Sequence, residues 1–341
     1  MSSQMLRRGT AAYTGSDREK RQPPAAYNKI SRASCFARAS PAARVPLPLV
    51  PKSLLPPPSS SLRLCYPREW TGVSCDVSLG QVLSLTISNT KNISGPIPDA
   101  IGDLPILSYI ILHNLPFLTG PLPTSLSNLT LLKTLTITYT SLAGPLPPFI
   151  TTFTQLYEFN LSHNHISGPL PAFPDAYSFI DLSHNYLSGS IPSSLFSGSI
   201  TNPLLDISFN KLTGKIPRSL GKINFSWINM AHNKLTGDAS FLFGVSKWTK
   251  LIDLSWNELE FNMASLRFST FLENLDLSHN NISGSIPGQI ARAEKLKTLN
   301  LSYNKLCGRI PSGGPLRKFH SLSYLHNSCL CGRPLALCRH H

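Results

Sequence analysis

Four aspartates, Asp181, Asp206, Asp253 and Asp276, share one local setting, apolar-Asp-apolar-Ser, and each could present a carboxylate to a cationic partner. Outside this recurring set no clustered acid pair of the kind that general acid–base chemistry uses occurs. Three residues beyond each aspartate, or its asparagine equivalent, comes a ring: His163, His184, Phe209, His232, Trp256, His279 and Tyr303. The pattern places them at solvent-facing strand positions at the edge of the same face, and rings there anchor protein interfaces, where Trp and Tyr supply large, well-ordered contact area. No HExxH, GxSxG or phosphate-binding loop occurs, so the sequence points to binding and not to an enzyme, and it calls for no cofactor.

The cysteines are the other reactive groups. Six of seven flank the central region: Cys65 and Cys75 before it, Cys307, Cys329, Cys331 and Cys338 after it. Cys329, Cys331 and Cys338 with a histidine could ligate zinc, but no second CxxC-type pair accompanies them. Disulfide-stapled ends are the expected use, because the terminal units of a stacked array expose apolar faces that need covering.

What positions these residues is a repeat. The stretch LYEFNLSHNHISGPLP from Leu156 to Pro171 returns in close copies 21 to 25 residues apart, with asparagines at 164, 185, 210, 233, 257, 280 and 304. Such a period implies a solenoid. Alternating apolar residues, Phe159 and Leu161 in this copy, predict a short strand whose inward side chains stack between neighbouring coils. The asparagine that follows would satisfy backbone groups that no ladder serves, and the Ser/Thr-Gly-x-Ile/Leu-Pro segment would make the turn. A glycine column extends the array to ten repeats. The aspartates fall among ten outward positions, Thr86, Ile111, Thr136, Asn160, Asp181, Asp206, Asn229, Asp253, Asp276 and Asn300. Like charges on strands about 4.8 Å apart repel by roughly 1 kcal/mol even in a water-like dielectric, so an acidic column is costly alone and favourable against a basic partner.

Of the net charge of +14, +9 lies in residues 1–64. The repeats hold no basic run with interleaved aromatics, and nucleic acid is not an expected partner. The first 64 residues, rich in Arg, Ser, Pro and Ala, are expected to be a disordered leader. It has no secretory apolar core; its poverty in acid suits a transit peptide or a mis-specified start. No apolar stretch of roughly 18 residues occurs, so no membrane-spanning helix is expected. Six Asn-x-Ser/Thr acceptors, Asn92, Asn128, Asn160, Asn224, Asn281 and Asn300, agree with the cysteines in favouring an oxidising, secretory compartment. Asn160 and Asn300 fall on the strand face, where a glycan would obstruct a ligand, and Asn92, Asn128 and Asn281 are the favoured glycosylation sites among the six.

The LxGxIP form of the repeat resembles the plant extracellular leucine-rich repeat class. Three features are similar to polygalacturonase-inhibiting proteins: the count of ten, the departure at 237–244 and 259–262, and the closing segments Leu306–Pro311 and His326–Leu335. The resemblance implies an α/β solenoid, a right-handed leucine-rich repeat superhelix of ten plant-type repeats with a concave parallel β-sheet. It implies a secreted protein of the cell wall or apoplast that inhibits fungal or insect polygalacturonases, with pairs Cys65–Cys75, Cys307–Cys329 and Cys331–Cys338. The family's first two cap cysteines are missing here. The expected organisation is a leader at 1–64, a truncated cap at 65–81, repeats at 82–306 and a cysteine cap at 307–341. Occlusion of the enzyme by the acidic and aromatic face is the expected mechanism. A receptor kinase, or pectin held by Lys211, Lys215, Arg218 and Lys222, is the alternative partner.

Overall fold

The structure, a computed structural model, describes residues 71–173, 177–196 and 202–338, all within the compact unit Pro46–His341. The leader, Cys35, Cys65 and Trp70 lie outside the described residues.

Ten strands stack in parallel to form the concave sheet: Gln81–Ser88, Tyr109–Gly120, Thr134–Pro145, Glu158–Asn160, Phe179–Asp181, Leu204–Asp206, Trp227–Asn229, Leu251–Asp253, Asn274–Asp276 and Thr298–Asn300. Val73–Asp76 adds an antiparallel strand at the N-terminal edge. The register is strict. Phe159 lies beside Ile180, Ile180 beside Leu205, and Leu205 beside Ile228, so every inward residue meets its counterpart one coil away. All four are buried, and each such side chain contributes roughly 1.5–3 kcal/mol by leaving water.

On the flank a second parallel ladder runs through His165–Gly168, Tyr186–Ser190, Lys211–Lys215 and Lys234–Gly237. Its glycines hold the left-handed backbone that the sequence predicts for this turn, Gly168 at φ 80° and Gly214 at φ 76°. Most coils then return through a short 3-10 segment such as Arg218–Lys222, and no α-helix occurs among the described residues. In the divergent eighth coil, where Glu260 stands in place of glycine, Asn262 caps the 3-10 segment Met263–Ser265 by accepting the Ala264 N–H at 2.9 Å.

The asparagine ladder binds coil to coil. Asn185 Nδ2 donates to Leu161 O in the preceding coil at 2.8 Å and to Leu182 O in its own at 3.1 Å, while its Oδ1 accepts Ile166 N–H at 2.9 Å. Asn164, Asn210, Asn233, Asn257, Asn280 and Asn304 use Nδ2 in the same way. Asn327 adds a rung beyond the counted repeats, donating to Leu301 O and Tyr324 O. The C-terminal segment therefore continues the coil, and Cys307–Cys329 covalently joins its flank strand to the preceding one. Cys331 is bonded to Cys338, and Cys75 is also disulfide-bonded. These bonds leave Cys329, Cys331 and Cys338 no thiolate for zinc.

Candidate partner-binding face

Strand pairing places the aspartates in two adjacent pairs, Asp181 beside Asp206 and Asp253 beside Asp276, separated by Asn229 and flanked by Asn160 and Asn300. They are less available than an outward position in a strand suggests. Asp206 Oδ1 accepts the backbone N–H of Ser208 at 3.0 Å and its hydroxyl at 2.6 Å, and Asp181, Asp253 and Asp276 bind Ser183, Ser255 and Ser278 identically. The physical reason is local. The chain leaves the strand at this point and the next N–H groups need acceptors. Asn160 and Asn300 meet the same need through Ser162 and Ser302.

All four aspartates are half-buried. Burial raises the pKa of Asp181, and burial together with the Asp181 charge pushes Asp206 up to about 7. Asn229 Nδ2 occupies Asp206 Oδ2 at 2.9 Å, and Asn300 Nδ2 approaches Asp276 Oδ2 at 3.2 Å. The acidic column thus serves the fold first, and its negative field is weaker than four free carboxylates would give.

The rings follow a different rule. They lie three residues past the end of each strand, in a bend, and not at the strand positions that the sequence pattern predicts. Each has a left-handed backbone, φ between 52° and 57°. For residues with a Cβ this conformation costs about 1 kcal/mol or more. Their backbone N–H groups repay it in part: His163 donates to Ser183 O, Trp256 to Ser278 O and Tyr303 to Leu325 O, each at 3.0 Å. Stacking contributes the rest. Tyr139, His163, His184, Phe209, His232, Trp256, His279, Tyr303 and His326 form an unbroken column with centroid separations of 3.7–5.2 Å and interplanar angles of 10–20°. Each contact of this class adds about 0.5–1.5 kcal/mol.

Sequence reasoning missed both ends of this column. Tyr139 precedes Thr140 instead of the signature asparagine, and His326 lies past the counted repeats. Asn89 and Asn114 hold the equivalent left-handed place in the first two coils, at φ 56° and 53°. Trp256 is 50% exposed, and Phe209 and Tyr303 are also exposed, so the column presents an apolar rim beside the sheet. His163 is lowered to about 4 by burial and by the neighbouring His184, and burial also lowers His184, His232 and His279. These shifts favour the neutral form of the four imidazoles. Phe179 and Trp227 are half-buried at the other end of their strands, and Trp227 Nε1 is buried without a hydrogen-bond partner.

Other candidates are dispersed. Lys211 sits 4.6 Å over the Tyr186 ring, and Arg218 pairs with Asp238 at 3.4 Å, which divides the flank basic group and neutralises part of it. Asn92 and Asn128 are exposed, and Asn281 is half-buried. Among the described residues no His/Cys/Asp/Glu cluster fits a metal, and no helix is long and apolar enough to cross a membrane.

Comparison with known proteins agrees with this architecture. The leucine-rich repeat family model matches residues 155–175, 178–197, 204–223, 271–293 and 295–315. The chain is 48% identical over 276 residues to a polygalacturonase inhibitor of Pyrus communis, covering 80% of this chain and 82% of that protein. It is 48% identical over 275 residues to one of Vitis vinifera, covering 79% and 81%. Among solved structures, a plant ice-binding protein superposes with a TM-score of 0.75 at 38% identity, over 80% of this chain and 88% of that one. With coil, ladder and rim in place, the chain belongs to the polygalacturonase-inhibitor family of leucine-rich repeat proteins.

Proposed function

We propose that this protein is an extracellular plant defence protein that binds pathogen polygalacturonases with its concave face and inhibits them by occluding the active-site cleft. The observation that carries the reading is the nine-ring rim along that sheet, in a chain 48% identical to a named polygalacturonase inhibitor over most of its length. A stacked and therefore pre-ordered aromatic edge loses little entropy on binding and supplies the desolvated centre that stable interfaces need. A cleft that holds an acidic polymer is lined with basic groups, and the outer oxygens of the aspartate pairs supply complementary charge beside the rim. Inhibition by this route requires no chemistry from the inhibitor.

The test is inhibition of a panel of fungal polygalacturonases by the full chain secreted behind an added signal peptide. Stoichiometric inhibition of at least one enzyme is expected. A folded protein that neither binds nor inhibits any of them refutes the proposal.

A further inference from the structure

Asn224, Phe225 and Ser226 form a glycosylation acceptor whose surroundings set it apart. Asn224 is exposed in the short link between the 3-10 segment Arg218–Lys222 and strand Trp227–Asn229, while Phe225 is buried and anchors that link to the core. Trp227 pairs in register with Leu251, Leu251 with Asn274, and Asn274 with Thr298. Three residues before each stand Asn224, Trp248, Phe271 and Lys295, one per coil. The three later members touch: Trp248 and Phe271 stack at 5.4 Å and 12°, and Lys295 Nζ lies 5.0 Å over the Phe271 ring. Phe271 thus has a partner in each adjacent coil. Trp248 has one in the following coil, remains 55% exposed, and has the coil that carries Asn224 as its neighbour on the other side.

We infer that Asn224 carries an N-linked glycan and that its first N-acetylglucosamine packs on the open face of the Trp248 indole. The C–H face of a pyranose covers apolar area and makes dispersion contacts, and adjacent coils are only about 5 Å apart, within reach of a sugar on an asparagine side chain. The column lies at the strand ends opposite the ring rim, so the glycan leaves the partner face clear. Asn160 and Asn300 lie instead on the strand face, and Asn300 Nδ2, the atom that would carry the sugar, already donates to Asp276 Oδ2. The inference rests on the extracellular reading above.

The experiment is glycopeptide mass spectrometry on the full chain secreted from plant cells behind an added signal peptide, with melting curves of wild type, Asn224→Gln, Trp248→Ala and the double variant. Asn224 is expected to be occupied. Asn224→Gln is expected to lower Tm by about 2 °C when Trp248 is present and to have no effect when it is alanine. An unmodified Asn224 overturns the inference, whether Asn92, Asn128 and Asn281 are modified or not. An occupied Asn224 whose loss shifts Tm equally with and without Trp248 overturns the packing. Polygalacturonase inhibition measured on the same preparation reads the parent proposal independently.

Discussion

Trp256 and His279 stack with their ring centroids 3.7 Å apart, although neither belongs to a strand and both hold a left-handed backbone. The contact exists because the sheet fixes coil-to-coil register and each residue lies three positions past the aspartate that ends its strand. A conformation that is costly for a single residue becomes a column when repeated, and its exposed edge is rigid.

Asp206→Asn tests whether the acidic column is structural. The Asp206 pKa is about 7 in the folded protein against 3.8 for a free side chain, so the folded state holds the proton more tightly. Its contribution is fully present below pH 4 and is lost as pH rises through 7. Asparagine keeps the acceptor for Ser208, as Asn160 does for Ser162. The variant is expected to be more stable than wild type at pH 7.5, by on the order of 2 kcal/mol after discount for solvent at the outer oxygen, and equal at pH 3.5. Denaturant melts at the two pH values check this.

His163→Phe probes the opposite sign. The His163 pKa falls to about 4 in the folded protein from 6.5, so the unfolded chain takes the proton first and stability declines as pH drops from 6.5 to 4. Phenylalanine, which holds the same place as Phe209, removes that loss. The variant is expected to retain about 1 kcal/mol more stability at pH 4 than wild type, relative to pH 7.5, with the imidazole half exposed. Chemical-shift titration of His163 should show a midpoint near 4; a midpoint near 6.5 contradicts the burial argument.

Asn257→Ala removes donors to Met230 O and Leu254 O and the acceptor for Leu235 N–H, all deep in the solenoid. Several buried backbone groups are orphaned at once, and a loss of about 3 kcal/mol or more is expected in equilibrium unfolding. A cost below about 1 kcal/mol would mean that the coils hold without the ladder.

Cys307→Ser with Cys329→Ser removes the bond between the last two flank strands, which closes a sequence separation of 22 residues. The expected cost is about 2–4 kcal/mol. Hydrogen exchange should accelerate first around Tyr324 and Asn327, because those residues complete the terminal rung.

The repeat, its strands and the asparagine ladder were legible because each rests on residue type at a fixed spacing: Asn185 reads the same as Asn210 in sequence and makes the same bonds. The positions of the ring column were legible too. Its left-handed backbone and its stacking were not, since both depend on how one coil sits on the next. Tyr139 was overlooked because Thr140 replaces the marker asparagine, and Thr140 instead donates its hydroxyl to Asn164. The serine after each aspartate was visible in the repeat, but its capture of Oδ1 depends on where the strand ends.

Trp256→Asn tests the central claim most directly. Asparagine holds the same left-handed place in the first two coils, at Asn89 and Asn114, so the variant is expected to keep its fold. Inhibition of a responsive polygalacturonase by wild type and variant, with matching melting curves, should show a loss of about 30-fold or more in affinity, the size of an interface hot spot. Undiminished inhibition by the folded variant would contradict binding through the ring rim.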